Sequence, residues 1–140
     1  MLILDTNVVS EARKPSGNRN MKTWLSSQDA DEMYISAVTV LEIQRGISQA
    51  DRRGDKLQAA VLTRWLDGMV LSAFIGRILP VDHSIARIAG RLEWPSATDF
   101  RDAVIIATAI VHNATVLTRN TDHFLGSGVQ LVNPWVVENP

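Results

Sequence analysis

The chain has 140 residues, 46% of them hydrophobic and 21% charged, with 14 Lys plus Arg against 15 Asp plus Glu. That size and balance fit one domain, residues 1–140, with a real core; they exclude a disordered tail and leave no global basic field to attract nucleic acid. The lack of cysteine excludes disulfide frameworks, thiolate zinc sites and cysteine nucleophiles. No apolar run approaches the roughly 18 residues that span a bilayer, so no membrane association is expected. The opening Met1-Leu2-Ile3-Leu4-Asp5 has no basic segment ahead of an apolar one. It does not read as a signal peptide, and the expected location is cytoplasmic.

Leu2-Ile3-Leu4 is short, wholly apolar and followed at once by polar residues, the pattern of a central strand covered on both faces. A short helix is expected over 8–13, stopped by Lys14-Pro15-Ser16-Gly17, and a second over 20–27. Met33-Tyr34-Ile35 reads as a strand, with Ser36 as the N-cap of a helix carrying Val40, Ile43 and Ile47 on one stripe. A charged loop over 51–56 leads to a long amphipathic helix over 57–74. A strand over 78–81, a helix over 84–92 and a loop at 94–98 follow. Asp99 is placed to cap a helix over 100–112, and strands over 115–118 and 129–132 complete the chain. Short apolar strands alternating with helices imply an α/β fold, a parallel sheet with helices on both faces. Ligands of such sheets sit beyond the carboxyl ends of the strands, near a topological switch point.

Acidic residues fall at those positions. Asp5 follows the first strand, Glu42 lies in the second turn of the helix after the second strand, and Asp102 lies in the first turn of the helix capped by Asp99. Asn120 and Asp122 follow the strand over 115–118. Gathered carboxylates repel one another and take up protons unless a cation neutralises them. Oxygen donors favour hard ions, chiefly Mg²⁺ or Mn²⁺, and an ion so held can activate water against a phosphodiester. Simpler readings stand beside this one. Asp99 and Asp102 also suit a helix N-terminus, Glu42 with Arg45 an ordinary i,i+3 pair, and Asp122 a turn. An acid directly after a buried strand, as at Asp5, is harder to explain by structure alone.

Four segments resemble the motifs of PIN-domain proteins, in order along nearly the whole chain. They are Leu2–Ser10, Ile35–Ile43 with Gly46-Ile47, Asp102–Ala109, and Val116–Asn120 with Phe124. The ending Val132-Asn133-Pro134-Trp135 is similar to that of FitB-like members. The resemblance implies a PIN-like three-layer fold and a VapC-like ribonuclease toxin of a type II toxin–antitoxin pair. It implies dependence on Mg²⁺, with Mn²⁺ also accepted, and cleavage that leaves a 5′-phosphate and a 3′-hydroxyl. RNA is then the substrate and a cognate antitoxin the partner. A homodimer or larger toxin–antitoxin assembly is expected, reaching DNA only through the antitoxin. Carried over by position, Asp5, Glu42 and Asp102 match the catalytic, metal-binding acids. Thr6, Asn7 and Thr118 match supporting polar residues. At the fourth metal position many members have Asp where this chain has Asn120; Asn offers an oxygen without charge, and Asp122 is the alternative source. The stretch between Leu92 and Asp102 is shorter than is usual in the family.

Arg45, Arg101 and Arg119 lie near the acids in sequence and are candidates for phosphate contact or for balancing the acids. Trp94 is a candidate for base stacking, whereas Trp24, Trp65 and Trp135 suit core or interface positions. The three histidines have no i,i+4 ligand spacing; His83 suits a helix start, His112 a helix end, and His123 a solvated loop close to the site. Two rival functions remain. A phosphatase using Asp5 as nucleophile lacks the acid it needs at position 7, which is Asn. A PIN-like nucleic-acid-binding module with a weakened or inactive metal site would draw its support from Asn120.

Overall fold

The computed structural model describes residues 1–93 and 98–139. Five short strands, β1 (Leu2–Leu4), β2 (Met33–Ser36), β3 (Ile78–Leu79), β4 (Thr115–Leu117) and β5 (Leu131–Val132), form one sheet in the order β3-β2-β1-β4-β5. Every pairing is parallel, with Leu2 opposite Met33 on one side and Leu4 opposite Leu117 on the other. Parallel neighbours need crossovers, and helices supply them. The helices are α1 (Thr6–Arg13), α2 (Arg19–Ser26), α3 (Ala37–Arg52), α4 (Lys56–Trp65), α5 (Leu71–Ala73), α6 (His83–Arg91) and α7 (Phe100–His112).

Side chains alternate along a strand, so β1 serves two cores. Leu4, Ile35 and Leu117 meet Val8, Val9, Met21, Ile43 and Trp65 on the face covered by α1 to α4. Ile3, Leu79 and Val116 meet Ile105, Ile106 and Phe124 on the face covered by α7. Helix α6 packs on α7 through Ile85, Ala89, Ala103 and Ala107. The expected α/β fold with helices on both faces is what forms. Trp65 is buried in the first core, and Trp24 and Trp135 pack against it half-buried.

Several boundaries differ from expectation, each for a local reason. Helix α1 starts at Thr6 because Asp5 itself caps it, its carboxylate accepting from the Thr6 amide. The helix expected over 57–74 is interrupted by a π-helical turn at Leu66–Val70, with Leu66 and Val70 both buried in the first core. The charged loop shrinks, since α3 runs to Arg52 and Asp55 caps α4. Strand β5 begins at Leu131, later than expected, after the turn at Gly126 and Gly128, both at positive φ. Ser36 and Asp99 cap α3 and α7 as expected. His83 opens α6 and His112 closes α7. Trp94 and the rest of 94–97 lie outside the described residues.

The chain runs from β1 outward to β2 and β3, then crosses the whole sheet to β4 on the other side of β1. The switch point therefore lies between β1 and β4, at their carboxyl ends. Ile3 is fully buried on the central strand. Ile3→Ala is expected to cost about 2–5 kcal/mol in urea unfolding while leaving the helical circular dichroism intact.

Candidate active site

Asp5 leaves β1 at the switch point, where its own amide still bonds to Leu117 O of β4 (2.9 Å). Its carboxylate is 6% exposed by residue and is met by three donors. Oδ1 accepts from the Thr6 amide (2.8 Å), and Oδ2 accepts from Thr118 Oγ1 (2.8 Å) and Asn7 Nδ2 (3.1 Å). Thr118, fully buried just past β4, is itself fixed by the Asn120 amide, which donates to its Oγ1 (3.0 Å). Asn7 turns its other end to accept from the Arg119 amide (3.2 Å). Thr6 Oγ1 donates to Glu42 Oε1 (2.9 Å) and lies 3.2 Å from Thr39 Oγ1. Thr6, Asn7 and Thr118 thus form a polar frame around Asp5 and carry it across to α3.

Asp102 enters from α7, where it closes a reciprocal cap with Asp99. Its Oδ2 lies 3.1 Å from His123 Nδ1; facing a carboxylate, that nitrogen carries the proton. Arg101 holds Asp99 (2.6 Å) and reaches Glu42 (3.7 Å). Asp5, Glu42, Asp102, Asn120, Arg101 and His123 all line one cleft of about 370 Å³. Among the described residues, no group of three His, Cys, Asp or Glu side chains is drawn together as a ready metal cage. Each acid is instead turned toward its own partner.

Charge crowding shows in the acids. Burial lifts Asp5 above the usual carboxylate range, against the pull of its bonds from Thr118, Thr6 and Asn7. Burial also lifts Glu42, with the negative charges of Asp5 and Asp102 adding to it and Thr6 and Arg101 opposing. Asp102 is raised by burial and then by Asp5 and Asp99. Burial is the largest single influence on Asp99, at the rim, and pushes it up, but Arg101 and the α7 amides together outweigh that and hold it low. Arg101 thus balances Asp99 and reaches Glu42 at one edge of the site, while Asp5 and Asp102 have no Arg or Lys ion-pair partner among the described residues.

The site holds most of the residues expected from the sequence. Asp122, however, is exposed and does not line the cleft, whereas Asn120, two residues earlier, does. Arg45 is exposed and also does not line it; the cation that reaches Glu42 is Arg101. Arg119 is exposed and lies over the Trp135 ring, 5.5 Å from its centre. His123, read from the sequence as a solvated loop residue, faces into the cleft against Asp102. It has no spacing motif, and the one clue was its position beside Asn120.

The PIN domain family model matches residues 2–125. This chain belongs to the PIN domain family. Toxin FitB of Neisseria gonorrhoeae is 37% identical over 140 residues, covering 96% of this chain and 99% of that protein. VapC ribonuclease Y4jK of Sinorhizobium fredii is 35% identical, covering 96% and 98%. Among solved structures, the crystal structure of FitAcB from Neisseria gonorrhoeae superposes with a TM-score of 0.85 at 34% identity, over 98% of this chain and all of that one. A toxin–antitoxin complex from Klebsiella pneumoniae follows at 0.67 and 28% identity, covering 96% and 98%. The α/β sheet of this PIN domain and its helical layers are thus those of the toxin structures.

The raised acids have a consequence for stability. A carboxyl group with a folded pKa above its unfolded value adds stability that is full below the unfolded value and is lost as pH rises through the folded one. In metal-free buffer the protein is therefore expected to melt higher at mildly acidic than at neutral pH. Asp102→Asn removes one such charge and is expected to raise the neutral-pH melting temperature by a few degrees, the gain shrinking as pH falls into the carboxylate range. Thermal melts of both proteins across pH 4.5–8 in EDTA test this; a lower melting temperature for the variant at every pH contradicts the charge-crowding account.

Proposed function

We propose that the chain is a divalent-metal-dependent endoribonuclease and the toxin of a toxin–antitoxin pair. One observation carries the reading: three acids from β1, α3 and α7 meet in one polar cleft at the switch point, each lifted toward protonation. Hard oxygen donors with surplus negative charge fit Mg²⁺ or Mn²⁺. These ions keep several waters and need only one or two direct carboxylates, so the spread of the acids suits them. Asp5 and Asp102 would hold the ion, Glu42 would hold a second ion or orient its water, and the Asn120 amide oxygen would complete the set. When bound, such an ion neutralises a phosphate and lowers the pKa of water.

The chain's own residues do the positioning. Thr118, Asn7 and the Thr6 amide leave the Asp5 carboxylate no freedom to rotate. Thr6 does the same for Glu42 from the inside and Arg101 from the outside. Arg101 sits at the rim, paired with Asp99 and within reach of Glu42, and so balances the acids beside it. Support for RNA as the substrate comes from relatives named ribonucleases. Support for an antitoxin partner comes from the toxin–antitoxin complexes it resembles, one of them FitAB bound to a DNA fragment. We further propose that residues 1–140 act as a single domain, in a homodimer or larger assembly that meets DNA only through the antitoxin. Among the described residues no helix is long and apolar enough to cross a membrane.

The purified chain is expected to cleave RNA with Mg²⁺ or Mn²⁺ and to stop in EDTA. Asp5→Asn, with an unchanged circular dichroism spectrum, is expected to lose about 100-fold or more of that cleavage. A folded variant that cleaves at the wild-type rate overturns the assignment.

The amide at position 120 gives a separate expectation. Asn120→Asp adds a charged donor to the cleft and is expected to lower the Mn²⁺ concentration for half-maximal cleavage several-fold, because ligand charge sets much of the affinity for hard ions. Asp122→Asn is expected to leave the titration where it is. The reverse pattern would place the fourth donor at Asp122.

A further inference from the structure

We infer that His123 is a nitrogen donor to the divalent ion of this cleft, beside Asp102, and that it turns the site's preference toward Mn²⁺ over Mg²⁺. This rests on the proposed metal-dependent function and adds to it which ion the site is built to select.

The geometry is specific. His123 Nδ1 and Asp102 Oδ2 are 3.1 Å apart and both face the cleft. Two donors on neighbouring corners of an octahedron with bonds of about 2.1 Å lie about 3.0 Å apart. The pair is therefore already spaced as adjacent ligands of one ion. An ion bound through Nδ1 takes that nitrogen's lone pair, which leaves Nε2 as the ring's N–H.

The backbone that carries the ring is also held in place. The His123 amide donates to Asn120 O (3.0 Å), and Thr98 Oγ1 donates to the His123 carbonyl. The next residue, Phe124, is 1% exposed and anchors the turn in the second core. A solvated loop histidine needs none of this. Fixing the backbone on both sides is what a ligand requires, because an unrestrained side chain loses rotamer entropy on binding.

The chemistry gives the preference. Every other candidate donor is an oxygen: Asp5, Glu42, Asp102 and the Asn120 amide. Imidazole nitrogen is a softer donor that bonds first-row transition ions well and adds little for Mg²⁺, which keeps its waters. Among the transition ions, Mn²⁺ also accepts the surrounding oxygens. One nitrogen in an oxygen set thus separates Mn²⁺ from Mg²⁺.

The test uses the full chain without RNA, titrated with Mn²⁺ and separately with Mg²⁺ by calorimetry and thermal melting. Wild type, His123→Asn and Asp102→Ala are compared. Mn²⁺ is expected to bind wild type at least about 10-fold tighter than Mg²⁺. His123→Asn is expected to weaken Mn²⁺ about 10-fold and to change Mg²⁺ less than about threefold. Pulsed electron paramagnetic resonance of the Mn²⁺ form is expected to show nitrogen coupling that His123→Asn removes. Equal weakening of both ions, with no nitrogen coupling in wild type, makes His123 a support for Asp102 and overturns the inference. In that case loss of binding in Asp102→Ala leaves the proposed metal site standing. No binding of either ion to wild type overturns both.

Discussion

A carboxylate buried at the carboxyl end of a central strand is the constraint on which the rest of this structure depends. Asp5 is almost wholly withdrawn from water, and an isolated charge there costs several kcal/mol. Three hydrogen bonds reduce that cost, and each comes from a different part of the chain's plan. The Thr6 amide exists as a donor because α1 starts at that residue. Asn7 reaches back from the first turn of the same helix. Thr118 is available only because β4 lies next to β1, although 113 positions separate Thr118 from Asp5. The β3-β2-β1-β4-β5 order is therefore bound up with the ionisation of one residue.

The same topology decides why more acids gather there. In a parallel sheet every following helix points its N-terminus toward the strands' carboxyl edge, and the positive ends of α1, α3 and α7 all lie on that side. Such ends favour acids, and Asp5 and Asp99 serve directly as caps. Helix ends offset part of a charge and act over about one turn. They make room for Asp5, Glu42 and Asp102 without neutralising them, and Arg101 reaches only Glu42 and Asp99. The imbalance is a property of this fold with these side chains, and under the proposed function a divalent cation in the cleft resolves it.

The sequence carried the sheet and the inner acids well, because the signals were local. Leu2-Ile3-Leu4 is apolar at every position, as a strand covered on both faces must be, and the polar Asp5-Thr6-Asn7 marks where it ends. Ser36 and Asp99 could be read as caps because capping needs a specific residue type at one position. What escaped depended on non-local packing. The π turn at Leu66–Val70 widens one helical turn by a residue, and the apolar spacing there, which suits a continuous helix, carries no mark of it. Asn120 is the N-cap of a tight 3₁₀ turn at Thr121–Phe124 and Asp122 lies inside it, where a two-residue step changes direction, so sequence proximity to the site is shared and position in the cleft is not. His123 was underread because ligand motifs were sought as regular spacings along one helix, whereas its partner Asp102 comes from another element.

Net charge constrains how such a site meets a polyanion. With 14 basic against 15 acidic side chains, the protein as a whole offers RNA no attraction, and the cleft itself is acidic. Of the three arginines near the acids in sequence, Arg101 is tied to Asp99 and Glu42, Arg119 rests over Trp135, and Arg45 points elsewhere than the cleft. A phosphodiester that reached Asp5 and Asp102 directly would meet like charge at short range in a medium of low polarity, an unfavourable encounter. Under the proposed function, the neutralising charge must therefore arrive with the divalent ion, and substrate binding and ion loading become one coupled event. Few phosphates neutralised by arginine release few counterions from the RNA, which means a shallow salt dependence for that binding. Under that function, the arrangement that leaves the acids crowded when empty is the same one that keeps RNA out until the cation is in place.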